Sequence, residues 1–482
     1  MKQTDPTESL LLQRCSTALS RLGAGLRPQW EQSRTARLVS RVRRDVKESA
    51  LLGRLARHGA GAVFLAVLAA YPLPDAAFHY LPPLNVLKNS WQYFLLGFGL
   101  LLILLRYLRA ETPLRTRTTE AALPILQFLL VGLCLLAAVF RFPKVNYAGF
   151  FITMSGILWF FAVSRLYTGE DELFLFCRLS VFTAGIISIV GVLEYLFAIP
   201  IPKHWLEPGE TEIRTRAFAL FANPNQLGEY IELMLPMSVG LLLSVPERKE
   251  KCCIAVATLP MLAAGLFTMS RGAWLSITAA FLIFVLLENR RMLPVLLLAG
   301  ACFLLLPFVF ARLNFLFTDE FAYSAAKGGR LVRWQTAARE LWQGNPWLGL
   351  GFGMYGGEIA NNNPVSDSLT YFWVDNYYVR ILAENGIIGL VSYCLMQLGV
   401  LCAGVRAWLR LHGTRLRPLA AGLLAGLIGI LIHCIFECAF DVGFVAALYW
   451  TFAALLLSIG RQTEKETPAP AVAGSGTQIK KE

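Results

Sequence analysis

The chain reads as an all-α, polytopic integral membrane protein with about twelve transmembrane helices and one large extracytoplasmic loop containing an amphipathic helix. Three observations predict this. Of 482 residues, 56% are hydrophobic and only 16% are charged, with a mean hydropathy of +0.54, far outside the range of a soluble domain. Apolar runs of about 16 to 25 residues, enough at 1.5 Å per residue to cross roughly 30 Å of hydrocarbon, recur along the chain. A single long polar interval, residues 312–375, interrupts them.

In chain order, residues 1–58 carry many arginines, as in SRTARLVSRVRRDVK. They hold no apolar core long enough for export, so they predict a basic cytoplasmic tail and not a signal peptide. Twelve spans follow at approximately 59–74, 90–106, 120–140, 146–165, 173–199, 225–244, 253–269, 272–288, 292–311, 386–405, 418–435 and 441–460; the first is short enough to be partly re-entrant. Residues 59–460 thus form one transmembrane domain with its large loop at about 312–385. Residues 461–482, rich in Pro, Ala, Gly and Ser, predict a disordered tail.

The net charge of +12 does not point to nucleic acid. The positive residues lie in the N-terminal tail and in alternate loops: Arg106, Arg109, Arg115 and Arg117; Arg248, Lys249 and Lys251; Arg290 and Arg291; Arg406, Arg410, Arg415 and Arg417. That alternation is the positive-inside pattern, suited to an anionic inner leaflet. With the N-terminus inside and an even number of spans, both termini are cytoplasmic. The loop at about 200–224, the junction at Ser270 and Arg271, and the interval 312–375 then lie outside. The ten cysteines are scattered without a CxxC pair, which indicates neither a disulfide framework nor a zinc site.

The exterior segments keep arginines on the disfavoured side, which invites a functional reading. In RTRAFALFANPNQLGEY, Asn223 is placed to cap a helix with Pro224 at its first position. Arg214 and Arg216 precede that helix start, where free N–H groups favour an anion; the alternative is a solvated or headgroup-facing arginine. Glu194, near the outer end of the fifth span, is a candidate arginine partner. In TMSRGAWL, Ser270 caps the next helix and Arg271 stands at the membrane boundary, by function or by snorkelling.

Within the long interval, Leu331, Trp334, Ala338 and Leu341 recur at helical spacing, and Gly344, Asn345 and Pro346 end the element. Such an amphipathic helix would lie on the outer membrane surface. The run GLGFGMYGG has no strand before it, which argues against a dinucleotide site. Phe372 and Trp373 form an interfacial aromatic pair. Asp375 and Asn376 open a helix on which Arg380 and Glu384 stand one turn apart, and Asn385 and Gly386 break it. Asp375 is readable as a cap or as a base whose charged form the helix start stabilises; Glu229 and Glu232 are alternative carboxylates. His433 and Glu437 share a face near the end of the eleventh span, where the histidine is either a packing residue or part of a site. Two such ligands do not make a metal centre.

Taken in order, Arg216 ahead of ANPNQLG, Ser270 and Arg271 with Leu275, GGR ending at Arg330 with Trp334, NPWLGLGFGMY, DNYYVRILAENGIIG, and His433 with Glu437 resemble the O-antigen ligase and O-antigen polymerase superfamily of bacterial envelope proteins. The resemblance spans roughly residues 120 to 455. It implies an all-helical transferase of the inner membrane that takes a glycan from undecaprenyl diphosphate on the outer side, with inversion at the anomeric carbon. Arginines suit such a reaction because they stay charged and bind phosphate oxygens in bidentate fashion as charge builds on the leaving group.

On this reading Arg216, Arg330 and Asp375 are catalytic, and Arg214, Arg216, Arg271 and Arg330 hold the diphosphate. Asn225, Glu194, Tyr378 and His433 support them. No metal or other cofactor is expected. The partners are the lipid-linked oligosaccharide donor, a glycan or lipid-glycan acceptor, membrane lipid and envelope polysaccharide assembly proteins. One departure stands out: Asp375 occupies the place where ligases of the family typically carry a histidine, which tilts the reading toward polymerisation. The rival class is a multi-pass transporter or lipid flippase, which should concentrate ionisable groups at the bilayer midplane.

Overall fold

A computed structural model describes residues 37–38, 40–42, 44–45, 59–74, 83, 90–109, 118–142, 147–202, 205, 213–351, 353–356, 360, 364 and 373–466. Most of the N-terminal tail, the C-terminal tail beyond residue 466, Arg115, Arg117 and Phe372 lie outside the described residues. Two compact units are distinguished, residues 1–60 with 100–116, and residues 61–99 with 117–482. Every contact discussed below lies within the second.

The described residues are helical, without a strand: α1 (Gly59–Ala69), α2 (Trp91–Arg109), α3 (Thr118–Arg141), α4 (Tyr147–Leu166), α5 (Glu170–Leu196), α6 (Pro224–Ser244), α7 (Arg248–Phe267), α8 (Arg271–Glu288), α9 (Leu293–Leu304), α10 (Pro307–Asn314), α11 (Asp319–Gly328), α12 (Arg330–Gln343), α13 (Tyr377–Arg410), α14 (Arg417–His433) and α15 (Gly443–Glu466). Eight of them are long and apolar enough to cross a membrane, or nine if the pair Arg290–Leu304 and Pro307–Phe317, bent by 77°, is one broken span. The sequence reading of twelve spans differs in three further places. α1 has 11 residues, the described apolar part of α4 is Met154–Leu166, and α14 has 17 residues. The bend falls at Pro307, whose ring and missing N–H interrupt the apolar run expected to cross at 292–311. α15 continues to Glu466, so the first residues of the expected disordered tail are helical.

α6 and α15 are the most enclosed of the spans. α6 packs along α14, and the contact is close because small residues face backbone: a Cβ on Gly422 would collide with the carbonyl of Pro236, and one on Gly240 with that of Pro418. This pairing sets the end of α14 beside the first turns of α6. The start of α13 is tied to the end of α14, with Tyr377 N donating to Cys434 O at 2.8 Å and Tyr378 Oη donating to Leu431 O at 2.6 Å.

The amphipathic helix in the long interval forms as α12, but a different face is buried. Trp334 and Ala337 pack with Leu350, Met354, Tyr355, Val374, Val379 and Ala383, and Leu341 on the same stripe is buried, while Leu331 and Ala338 are exposed. Trp334 decides the rotation, because its Nε1–H donates to Val374 O at 2.9 Å and so turns the 334/337/341 stripe inward. α12 therefore folds onto the start of α13. The glycine-rich continuation packs on the same helix, Leu350 N and Gly351 N donating to the carbonyls of Ala383 and Glu384. Tyr355 N donates to Glu384 Oε1 at 3.1 Å. α13 kinks at Gly386, whose φ of +66° and close approach to the Trp347 carbonyl suit glycine.

Candidate functional site

Four separated stretches build one open cavity of about 550 Å³, lined among others by Arg216, Asn225, Arg271, Arg312, Arg330, Arg333, Asp375, His433 and Glu437. Five arginines thus face two carboxylates, and the starts of α6 and α8 open onto the same space. Asn223 caps α6 by accepting from Gln226 N at 3.0 Å, with Pro224 at the first helical position. Ser270 caps α8 through Ala273 N at 3.4 Å. Helix starts and guanidinium groups act in the same sense, favouring an anion.

The junction Thr268-Met269-Ser270-Arg271 organises three of the arginines. Thr268 O accepts from Arg216 Nε at 2.9 Å, and Met269 O accepts from Arg312 Nε at 3.1 Å. Arg271 begins α8 with its guanidinium 5.7 Å from the centre of the Phe321 ring. Arg216 also donates to Trp205 O at 2.8 Å and to Asn225 Oδ1 at 3.3 Å, and Asn225 Nδ2 donates onward to Glu437 Oε2 at 2.7 Å. Asn225 therefore links the arginine to the carboxylate across the cavity wall.

Arg214 is exposed and off the wall. Among the described residues, Glu194 pairs with backbone and with no arginine: its Oε2 accepts from the N–H groups of Phe218 and Ala219 at 3.0 and 2.7 Å, fastening the loop that delivers Arg216. Tyr378 anchors α13 to α14 away from the cavity. His433 is the last residue of α14, and Glu437 lies beyond it in a turn, so the two do not share a helix face although both reach the cavity. His433 Nδ1 lies 2.8 Å from Glu232 Oε2. Glu229, one turn earlier on α6, is wholly enclosed. Arg380 pairs with Glu384 at 3.8 Å and with Asp441.

Asp375 stands where α12 and α13 meet. Its Oδ2 lies 2.6 Å from Arg333 Nη1 and 3.8 Å from Arg330 Nε, and Arg333 Nη1 also donates to Trp373 O at 2.8 Å. The helix cap is Asn376, which accepts from Val379 N at 3.0 Å, so Asp375 is not the cap. Burial first, and the Glu437 carboxylate second, push Asp375 up to about 6 against the opposing pull of Arg333 and Arg330. Burial outweighs the helix dipole here, because the carboxyl sits one residue before the cap in enclosed surroundings.

Arg312 and Arg333 are the cavity arginines that sequence reasoning passed over. Arg333 stands one turn after Arg330, which is a signal for a shared target. Arg312 offered none beyond ending an apolar run. Residues 256–394, under a third of the chain, match the family model described as O-antigen ligase, which supports membership of the O-antigen ligase and polymerase superfamily. The matched stretch contains Arg271, Arg312, Arg330, Arg333 and Asp375 but not Arg216 or His433. No curated protein matches the chain.

Proposed function

We propose, taking residues 256–394 as the O-antigen ligase domain of a bacterial membrane protein that transfers glycans, that this chain is a polymerase or ligase of O-antigen or exopolysaccharide. It moves a glycan from undecaprenyl diphosphate to a sugar hydroxyl on the outer side of the inner membrane. The observation that carries the reading is the convergence of Arg216, Arg271, Arg312, Arg330 and Arg333 on one cavity. A glycosyl diphosphate diester holds two negative charges, and a third develops on the leaving oxygen as the anomeric bond breaks. Fixed guanidinium groups at a low-dielectric surface stabilise that developing charge more than they stabilise the bound donor.

Asp375 holds Arg333 and Arg330 through Oδ2 while Oδ1 orients the acceptor hydroxyl and takes its proton late, on the face opposite the leaving group. In-line attack inverts the anomeric centre. Aspartate in place of the usual ligase histidine favours polymerisation.

The test is to incubate purified protein with lipid-diphosphate oligosaccharide and to look for longer glycan or a glycan-bearing acceptor. Arg330→Ala is the cleaner substitution because that side chain is 42% exposed; Arg216→Ala also removes three polar contacts. Each should lower transfer on the order of 100-fold or more with the protein still folded. Full activity in both variants would refute the clamp, and donor left unconsumed while lipid or glycan is transported would favour the transporter. Because guanidinium groups supply the positive charge, excess chelator should leave the rate within about twofold.

A further inference from the structure

We infer that Glu232 and His433 form a buried, net-neutral donor that hydrogen-bonds the departing diphosphate through His433 Nε2 and passes it a proton. This rests on the transfer reaction proposed above. His433 is 1% exposed and Glu232 is fully enclosed. With Nδ1 engaged by Glu232 at 2.8 Å, the opposite nitrogen is turned to Gly272 at the start of α8, and both His433 and Gly272 line the arginine cavity. A Cβ at residue 272 would lie 3.3 Å from Nε2 and 3.4 Å from Phe436 Cβ. Glycine at that position leaves the imidazole edge uncovered at the wall.

The charge state follows from the surroundings. An unbalanced ion without water costs several kcal/mol, roughly, so enclosure favours the form of the pair that carries no net charge. That form holds two dissociable protons. One lies in the hydrogen bond between Nδ1 and the Glu232 oxygen, and on whichever side of that bond it rests, the other sits on Nε2. The cavity therefore meets an N–H. Glu232 from α6 engages one side of the ring and Gly272 stands at the other, with Arg271, Arg330, Arg333, Asp375 and Glu437 on the same cavity wall. That N–H acts in the same sense as the arginines of the wall, toward an anionic ligand.

In the reaction, the bond from the anomeric carbon to the diphosphate oxygen breaks and its electron pair stays on that oxygen. The Nε2 proton moves to it, the shared proton settles on Nδ1, and Glu232 is left as carboxylate. The acceptor's proton goes to Asp375. Its later release to solvent balances the proton the pair takes back. The diphosphate departs without its third charge. His433 is a catalytic residue in this scheme and Glu232 a positioning residue.

The experiment uses full-length protein in lipid nanodiscs and two donors in which the oxygen between the phosphorus atoms is replaced by CH₂ or by CF₂, the latter being the better leaving group. His433→Ala should lower kcat on the order of 100-fold with donor KM within about threefold, and should widen the CF₂ to CH₂ rate ratio about tenfold. Glu232→Gln keeps a neutral hydrogen bond to Nδ1 and so keeps Nε2–H for binding, but it cannot relay a proton. It should lower kcat, leave KM unchanged and widen the same ratio, which a loss of packing alone would not do. An unchanged ratio in either folded variant overturns the inference. Failure of the wild-type protein to turn over any lipid-diphosphate donor would instead remove the transfer reaction on which it rests.

Discussion

Asp375 has a φ of +48°, and Ala219 and Met269, in the two other loops at the cavity, have φ of +51° and +52°. Each such non-glycine residue costs on the order of 1 kcal/mol and persists only where its surroundings hold it. At Met269 the conformation belongs to the junction that aims one carbonyl at Arg312 and the neighbouring one at Arg216. At Asp375 it separates the carboxylate from the cap at Asn376. Because Asp375 titrates near 6 when folded, against an ordinary value of 3.8, its raised value stabilises the protein at acid pH, and that contribution is lost as pH rises through about 6. Asp375→Asn should therefore melt higher than wild type at pH 8, with the difference narrowing as pH falls below about 6 and closing only near 3.8. Transfer by the wild type should rise through pH 6 as the carboxylate forms, and the variant should lose that limb along with most of its rate. A variant that kept the rate would return Asp375 to a purely structural part. The residue type and its place before a helix were readable in the sequence; its basicity was not, because burial by α12 outweighs the local dipole.

Helix α12 is the element that joins the arginines to the acid. It carries Arg330 and Arg333 one turn apart and is fixed by Trp334, whose indole reaches Val374 beside Asp375. Trp334→Ala should cost about 3 kcal/mol in local packing and loosen α12 without touching any charged group. Hydrogen exchange should accelerate across residues 330–343 and 373–376 while α6 and α14 stay protected, and transfer should fall with them. Uniform exchange with unchanged transfer would show that α12 is held by something else. The helical period of this stretch was plain from its apolar spacing, and so were its end at Gly344 and the break at Gly386. The buried face was not, since Leu331 and Ala338 fit the same period as Ala337. Only a tertiary partner, the Val374 carbonyl, selects between them. The same limit explains Arg312 and the pairing of Glu232 with His433, which depend on contacts between residues 43 and 201 positions apart.

Helices of the larger unit run in both directions, α6 against α14 and α5 alongside α7, and its two ends differ in chemistry. At one end α6, α8 and α13 begin and α14 finishes, and there the arginine cavity opens. At the other, Arg415 pairs with Glu170 at 2.7 Å, Arg178 with Glu250 at 2.6 Å and Arg417 with Glu288 at 3.6 Å. The same end carries Arg248, Lys249, Lys251, Arg290 and Arg291. Short loops rich in Lys and Arg stay in the cytoplasm, so we propose that this end faces inward and the cavity outward, the side on which the proposed transfer takes place. The orientation does not depend on whether twelve, nine or eight segments span, because it compares the two ends of the same helices. It is testable in a cysteine-free background with single cysteines at exposed positions, Ala222→Cys at the cavity end and His412→Cys at the basic end. An impermeant maleimide applied to intact spheroplasts should label residue 222 and spare residue 412, and permeabilisation should expose both. Labelling of residue 412 alone in intact cells would invert the topology. The arginines would then face a cytoplasmic substrate, and transfer on the outer surface could not be their task.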